Sequence, residues 1–456
     1  MTDSLIKNSF IEIPYTEKTY PQNLWNEYKF ATLYVEIDDI VPISEPQTII
    51  FSIDISGSMS DVCKDGRTKM QHIIHTTKNI IDVFSKEILS DISVEIWGFD
   101  DKLEQIIKKT KCTNETRKEM HDKLTESLHP RGSTNISIAL KNANERMTEK
   151  NTTHVFMTDG QITNGPKNAD QLKIHVNPNY SNIFVGFGSD HDAFLLQSLA
   201  NQGSYYYVDH IETAGLAYGE ITHSILYQAL KNVTITIQNG EIYDYHTNSW
   251  SNIIKIPLLV GEAKKTFHLR SHDPKNLKAT IQSQQPNLSE EIDILPELEN
   301  APPIDFTKYL YRQRTLELLY EAQEIIKSEQ KKIQDYTRKS FLEIEKKLND
   351  FLIDIKSYID QNNLREDSFM ADLSDDIGIT LTTLKTSGLN IAAAYSAGRA
   401  RSNGTQGSFQ PVLRRTRNMT DESNYIPLST PLSRTNTSAR QIRIMETLSQ
   451  LDDWDQ

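Results

Sequence analysis

Three short stretches of this sequence carry oxygen-bearing side chains at spacings that suit a hard cation. The first is Asp54-Ile55-Ser56-Gly57-Ser58, an Asp-x-Ser-x-Ser pattern followed by Met59-Ser60. The second is Arg131-Gly132-Ser133-Thr134-Asn135, and the third is Thr158-Asp159-Gly160. Carboxylates and hydroxyls with no soft ligand among them fit Mg²⁺, favoured by its availability inside cells, or Mn²⁺. Mg²⁺ wants near-octahedral oxygen coordination and keeps several waters. Asp54, Ser56, Ser58, Thr134 and Asp159, some acting through water, would therefore leave one position open. Neutral hydroxyls beside the ion leave it electrophilic, and a carboxylate from outside can complete it. That is binding chemistry, which needs neither a nucleophile nor a proton transfer.

These stretches act together only if the fold gathers them. Residues 48–54 form a near-continuous apolar run, as expected for a strand buried on both faces. A helix over 68–90 follows, then a strand over 92–99 and a short edge strand over 103–108. Helices over 115–127 and 136–148 come next, then strands at 154–159, 182–187 and 205–208, and a last helix over 213–230. Strands alternating with helices imply an α/β fold with a doubly wound parallel sheet. Such sheets bind ligands beyond the carboxyl ends of their strands, where strand order reverses. In the usual order the first and fourth main strands are neighbours there. Both end in an aspartate, and the Thr134 loop precedes the helix that leads into the fourth strand.

Taken together, Asp54-x-Ser56-x-Ser58, Thr134 and Asp159 resemble the five-residue metal-ion-dependent adhesion site (MIDAS) of von Willebrand factor type A (VWA) domains. The flanks agree: Gly132-Ser133-Thr134, Thr158-Asp159-Gly160 and Gly186-Phe187-Gly188. The resemblance covers about residues 48–230. An Asp-x-Ser-x-Ser alone is a weak pattern, whereas three pieces in order on predicted strand ends are a strong one. The resemblance implies a Rossmann-like fold, direct coordination by Ser56, Ser58 and Thr134, and coordination mostly through water by Asp54 and Asp159. It also implies a protein partner that presents an Asp, a Glu or a C-terminal carboxylate.

Other candidate groups are weaker. Asp54 as a phosphoryl acceptor would need a second acid where Ser56 stands, and no Gly-x-Ser-x-Gly elbow or P-loop surrounds the serines. His72 and His75 share a helix face, but no third ligand is near in sequence, and a solvated face is expected. His154, His191 and His210 read as surface or packed histidines. Asp190-His191-Asp192 reads as a helix start, where Asp is a favoured cap. Tyr205-Tyr206-Tyr207 reads as strand rather than as a stacking platform for bases. Asp100-Asp101 and Asp375-Asp376 read as turn and cap residues. No enzymatic activity is expected, and metal-dependent hydrolysis ranks last among the readings.

The rest of the 456-residue chain bounds the setting. A net charge of −13 argues against a nucleic-acid binder, which needs a basic face to displace counterions. Cys63 and Cys112 make no disulfide framework and suggest a reducing compartment. The start of the chain lacks the apolar core of a signal peptide, and no stretch approaches the about 18 apolar residues of a membrane span. An intracellular, cytoplasmic protein is expected. A glycan on the Asn135-Ile136-Ser137 sequon would sit in the proposed metal loop, in keeping with that expectation.

Residues 1–47 form an N-terminal segment with a strand at 32–37, and the VWA-like domain occupies 48–230. Short strands over 231–295, broken by Asn-Gly and other turn signals, read as a small β-sandwich-like domain. The strand at 32–37 is free to complete that sheet, which would make the α/β domain an insertion. A linker precedes a helical region at 304–399, whose stretch over 306–362 reads as a helical hairpin or coiled coil. It either packs as a bundle or serves self-association and docking. Residues 400–456 lack the apolar periodicity of a core and read as a flexible tail, with a short helix at 440–451 and a solvated Arg414-Arg415-Thr416-Arg417 cluster. The expected function is a metal-dependent protein-binding module in a multidomain scaffold. The alternative is a structural or assembly component acting through the C-terminal helices.

Overall fold

The structure is a computed structural model that describes residues 5–13, 27–41, 45–63, 66–87, 91–188, 191–200, 204–208, 211–296, 306–331, 338–386, 389–405 and 439–450. The chain forms two compact units, Met1–Ile40 with Gln228–Ser438 and Val41–Tyr227 with Ala439–Gln456. The first unit opens with β1 (Ile6–Glu12) and β2 (Lys29–Ile37), paired antiparallel.

The second unit is built on six strands: β3 (Gln47–Asp54), β4 (Ile92–Phe99), β5 (Leu103–Lys111), β6 (Thr152–Thr158), β7 (Ser181–Phe187) and β8 (Ser204–Val208). Their order is β5-β4-β3-β6-β7-β8, and every adjacent pair is parallel except β4 with β5. The reason is local. Only Asp100-Asp101-Lys102 separates β4 from β5, and a parallel pair needs a crossover of a dozen or more residues. Every residue of β3 and of β6 is buried, as expected of strands covered on both faces. Phe156 of β6 stacks at 5.1 Å on Phe99 and lies 5.6 Å from Phe184.

Helices cover this sheet: α1 (Lys69–Lys86), α2 (Arg117–Ser127), α3 (Ile136–Arg146), α4 (Ala169–Lys173), α5 (Ala193–Ala200) and α6 (Ile211–Leu226). A reciprocal capping box between Thr68 and Gln71 starts α1, satisfying two orphan N–H groups of its first turn. Strand order reverses between β3 and β6, so the carboxyl ends of these two strands form the switch point.

The chain returns to the first unit at β9 (Gln228–Gln238), followed by β10 (Glu241–Asp244), β11 (Ser249–Ser251), β12 (Ile253–Val260), β13 (Lys264–Ser271), β14 (Lys278–Gln284) and β15 (Asn287–Ile292). Two antiparallel sheets result, β1-β2-β13-β10-β11 and β12-β9-β14-β15. They share one core that includes Leu33, Val35, Val233, Ile235, Leu269 and Ile281. The register of β2 against β13 runs from Lys29 opposite Ser271 to Glu36 opposite Lys264. Sequence periodicity carries the last helix of the α/β unit to residue 230, but α6 ends at Leu226. The reason is that Val233, Ile235 and Ile237 alternate into the sandwich core from β9, and Leu230 joins them there.

Helices α7 (Thr307–Lys331), α8 (Arg338–Gln361), α9 (Ser368–Thr386) and α10 (Leu389–Thr405) complete the first unit. Leu318 and Ala322 of α7, Leu348 and Ile355 of α8, and Met370 and Ile377 of α9 share a core. α7 is fastened to the sandwich by His268 and Gln313, 2.8 Å apart, and by the Arg312 guanidinium, which donates to the Thr266 carbonyl at 3.0 Å. Of residues 400–456, read from sequence as a flexible tail, 406–438 and 451–456 lie outside the described residues, the Arg414–Arg417 cluster among them. The rest is helical: 400–405 finish α10, and α11 (Ala439–Gln450) packs in the second unit against α6. Gly219 permits that approach, since a Cβ there would lie 2.6 Å from Met445 Cγ and 3.0 Å from Met445 Cα. Among the described residues no helix is long and apolar enough to cross a membrane.

Candidate metal centre

Asp54 is the last residue of β3 and is wholly buried. Its Oδ1 accepts the Ser56 backbone N–H at 2.8 Å, and its Oδ2 accepts the Thr158 hydroxyl at 2.5 Å. Burial pushes its pKa up to about 6, against the pull of the hydrogen bonds from Thr158 and Ser56. Beyond Asp54 the chain enters a single 3-10 turn, Gly57–Ser60, anchored by buried Met59. This turn brings Ser56 Oγ and Ser58 Oγ to 3.1 Å, and Ser58 Oγ donates to Asp159 Oδ1 at 2.8 Å. A serine that gives its proton to a carboxylate keeps its lone pairs for a cation.

Thr134 arrives on a loop tied down at several points. The Arg131 N–H donates to the Ile55 carbonyl at 2.6 Å, the Asn135 N–H to the Asp100 carbonyl at 2.9 Å, and the Gly57 N–H to the Gly132 carbonyl at 3.3 Å. Gly132 has φ +67°, and a Cβ there would lie 2.8 Å from Asp101 Oδ1. The loop therefore requires glycine at this position. The Thr134 N–H donates to Thr163 Oγ1 at 2.8 Å. Gly160 then forms a cradle, because a Cβ there would lie 3.4 Å from Ser58 Oγ and 3.7 Å from Thr134 Oγ1. Two hydroxyls from different loops thus face one spot, and Ser58 links it to Ser56 and Asp159. The donors are hydroxyl and carboxylate oxygens, the chemistry a hard divalent cation takes. No group of three or more His, Cys, Asp or Glu suited to a metal occurs among the described residues, so this centre is dominated by hydroxyls.

Sequence reasoning missed Lys69, the first residue of α1. Its ammonium donates to Asp159 Oδ2 at 2.8 Å and to Asp61 Oδ2 at 3.1 Å. Burial works against its charge, but the hydrogen bonds and charges of Asp159 and Asp61 outweigh that and raise its pKa above the ordinary value. A cation in the first turn of a helix opposes the helix dipole, a local oddity visible in the sequence that hints at an acidic partner.

The other candidates resolve individually. His72 is buried rather than part of a solvated face, and His75 Nε2 contacts Asn79 Nδ2 at 3.1 Å. His154 is buried in β6 beside Ser52 Oγ at 3.0 Å, and burial lowers its pKa to about 4. His191 packs between the Gly188 carbonyl at 2.8 Å and the Tyr205 hydroxyl at 2.7 Å. Asp192 caps α5 by accepting the Leu195 N–H at 2.9 Å, while Asp190 and His210 lie outside the described residues. Tyr205, Tyr206 and Tyr207 are buried in β8. Asp100 does make a turn, accepting the Lys102 N–H at 2.7 Å. Asp375 and Asp376 are not caps. They lie inside α9, wholly buried.

Residues 48–218 match the family model of the von Willebrand factor type A domain. No curated protein matches the chain. Among solved structures, a von Willebrand factor type A protein from Catenulispora acidiphila is similar at 13% identity and a TM-score of 0.50, over 85% of this chain and 91% of that one. The ArnB paralog VWA2 from Sulfolobus acidocaldarius is similar at 14% identity and a TM-score of 0.50, over 89% of this chain and all of that one, 100%. At such identities the likeness is one of fold. The family match and the mixed sheet, with its switch point between β3 and β6, agree, and the chain carries a VWA domain.

Proposed function

We propose that Ser56, Ser58 and Thr134 hold a divalent cation, Mg²⁺ or Mn²⁺, with Asp54 and Asp159 acting mostly through water, and that the ion receives a carboxylate from a protein partner. When bound, the cation supplies an electrophilic point that a partner's Asp, Glu or C-terminal carboxylate can complete. The chain's own residues do the rest. Asp54 fixes the turn through the Ser56 N–H, Asp159 accepts the Ser58 hydroxyl's hydrogen bond, and Gly160 keeps space open in front of two hydroxyls. The observation that carries this reading is the shared cradle of Ser58 and Thr134 over Gly160, beside two buried aspartates.

VWA domains are typically non-enzymatic interaction modules, and the donor set here calls for no proton transfer, so binding is the function we assign. An intracellular setting is supported by the sequence holding only two cysteines, Cys63 and Cys112, too few for a disulfide framework.

Calorimetric titration of Mg²⁺ and Mn²⁺ into the wild type and Asp54→Ala, with a pull-down from cell extract with and without EDTA, tests the proposal. We expect metal uptake by the wild type alone and a partner that EDTA releases. A folded wild type that takes up neither ion, with or without acetate as a carboxylate, and yields no partner that EDTA releases would overturn it.

A further inference from the structure

The Asp159 carboxylate is shared between two demands. Its Oδ1 accepts the proton of Ser58, and its Oδ2 accepts the Lys69 ammonium at 2.8 Å. The lysine is held in place. Its side chain is 11% exposed, Gly188 lies against its stem with Lys69 Cε 3.8 Å from where a Cβ would be, and Asp61 anchors the ammonium from the other side at 3.1 Å. Asp61 belongs to the segment that leads from the serine turn into α1, and its own side chain is 60% exposed. The capping box of Thr68 and Gln71 sets the first turn of α1 and, with it, the point from which Lys69 reaches. A permanent positive charge therefore stands one carboxylate away from the hydroxyls that would meet a cation.

Resting on the metal reading above, we propose that Lys69 is a tethered counter-charge that keeps the centre weak for metal alone and makes firm metal binding depend on an outside carboxylate. The physics is charge balance. Asp54 and Asp159 offer the ion two negative charges, and the Lys69 ammonium cancels one of them at short range in a buried setting, where such interactions are strong. A dication added there meets repulsion from the lysine and too little negative charge from the protein. The arriving carboxylate supplies the missing charge, so metal and partner favour each other's binding, and by linkage the coupling is reciprocal. Lys69 is in this sense a positioning and tuning residue, not a ligand.

The test compares full-length wild type, Lys69→Gln, Lys69→Met and Lys69→Arg by calorimetric titration with Mn²⁺ and Mg²⁺, in the absence and presence of acetate as the carboxylate probe. Lys69→Gln keeps a donor for Asp159 without the charge, and Lys69→Arg keeps the charge. Circular dichroism checks that each variant is folded. We expect Lys69→Gln and Lys69→Met to bind metal at least about tenfold tighter than the wild type, about 1.4 kcal/mol. Lys69→Arg should stay within a few-fold of the wild type, and acetate should strengthen metal binding in the wild type more than in the uncharged variants. If folded Lys69→Gln binds metal no tighter than a wild type that does bind it, the counter-charge role is wrong and the metal reading stands. If neither the wild type nor any uncharged variant takes up metal, the metal reading fails and this inference fails with it.

Discussion

At the carboxyl ends of β3 and β6, Asp54 and Asp159 are wholly buried, and inside the helical region Asp375 and Asp376 of α9 are wholly buried too. The two places treat their carboxylates differently. Asp376 Oδ1 takes the Arg399 guanidinium of α10 at 2.7 Å, and neither side chain is more than 1% exposed. That is a closed ion pair, in which a planar cation satisfies the acid directly. Asp54 instead holds a main-chain N–H and a hydroxyl, and Asp159 divides its two oxygens between the Ser58 hydroxyl and the Lys69 ammonium, with a glycine leaving room in front. The lesson is that buried acid alone does not mark a binding centre. What matters is whether the neighbours enclose the acid completely or leave part of its charge beside open space.

Arg399→Met leaves the Asp376 carboxylate buried without that guanidinium and should cost about 3–5 kcal/mol of stability, read by chemical denaturation. Adding Asp376→Leu should restore most of the loss, because well-packed apolar residues often replace a buried pair without penalty. Neither change should alter metal uptake, and a double variant as unstable as the single one would mean that the pair does more than close on itself.

Next in size is the acid response of the sheet, carried by His154 of β6. His154 has its folded pKa lowered to about 4 from 6.5, so the native state favours the neutral ring. The associated stability is fully present above the unfolded value and is lost as pH falls from about 6.5 through about 4, roughly 3 kcal/mol in all. Denaturation at a series of pH values should show that loss in the wild type and a flatter profile in His154→Gln.

Somewhat smaller is the metal's own contribution. Mg²⁺ at a hundredfold excess over its dissociation constant should raise stability by about 2.7 kcal/mol in the wild type and not in Asp54→Ala, read as a rise in melting temperature. The smallest change in stability belongs to Gly160→Ala. The added methyl sits at ordinary contact distance from Ser58 Oγ and Thr134 Oγ1, 3.4 and 3.7 Å, so stability should move by no more than about 1 kcal/mol. The cradle would nonetheless be filled, and the Mg²⁺-induced rise should disappear with all five proposed ligands still present.

Local pattern made much of this legible. The apolar run of β3, the alternation of strands and helices, and the three polar stretches at strand ends are features of neighbouring residues, and they imply the α/β class and the switch point. What stayed hidden depends on distant partners. Lys69 meets Asp159 across 90 positions in the sequence, so only its odd placement at a helix start could have raised notice. Asp375-Asp376 resembles a polar cap, but Met370, Leu373, Ile377 and Leu381 continue an apolar face past it. The cation that permits the burial, Arg399, lies 23 residues further on. His72 looked solvated for the same reason, since the packing of α1 against α2, α6 and α11 leaves no trace in that helix's own spacing.

The pairing of β2 with β13 also bears on how the chain is made. A ribosome adds roughly 5–20 residues per second, so β2 must wait on the order of 10–50 s for residues 264–271 to appear. During that wait every strand of the VWA sheet is synthesised, and that sheet can fold before its host sandwich exists. β2 is thus among the last strands to gain its second neighbour, and α11 reaches α6 later still. Over that interval the β1–β2 ladder offers a bare edge to whatever else is in solution, a hazard that ends only when the sandwich closes.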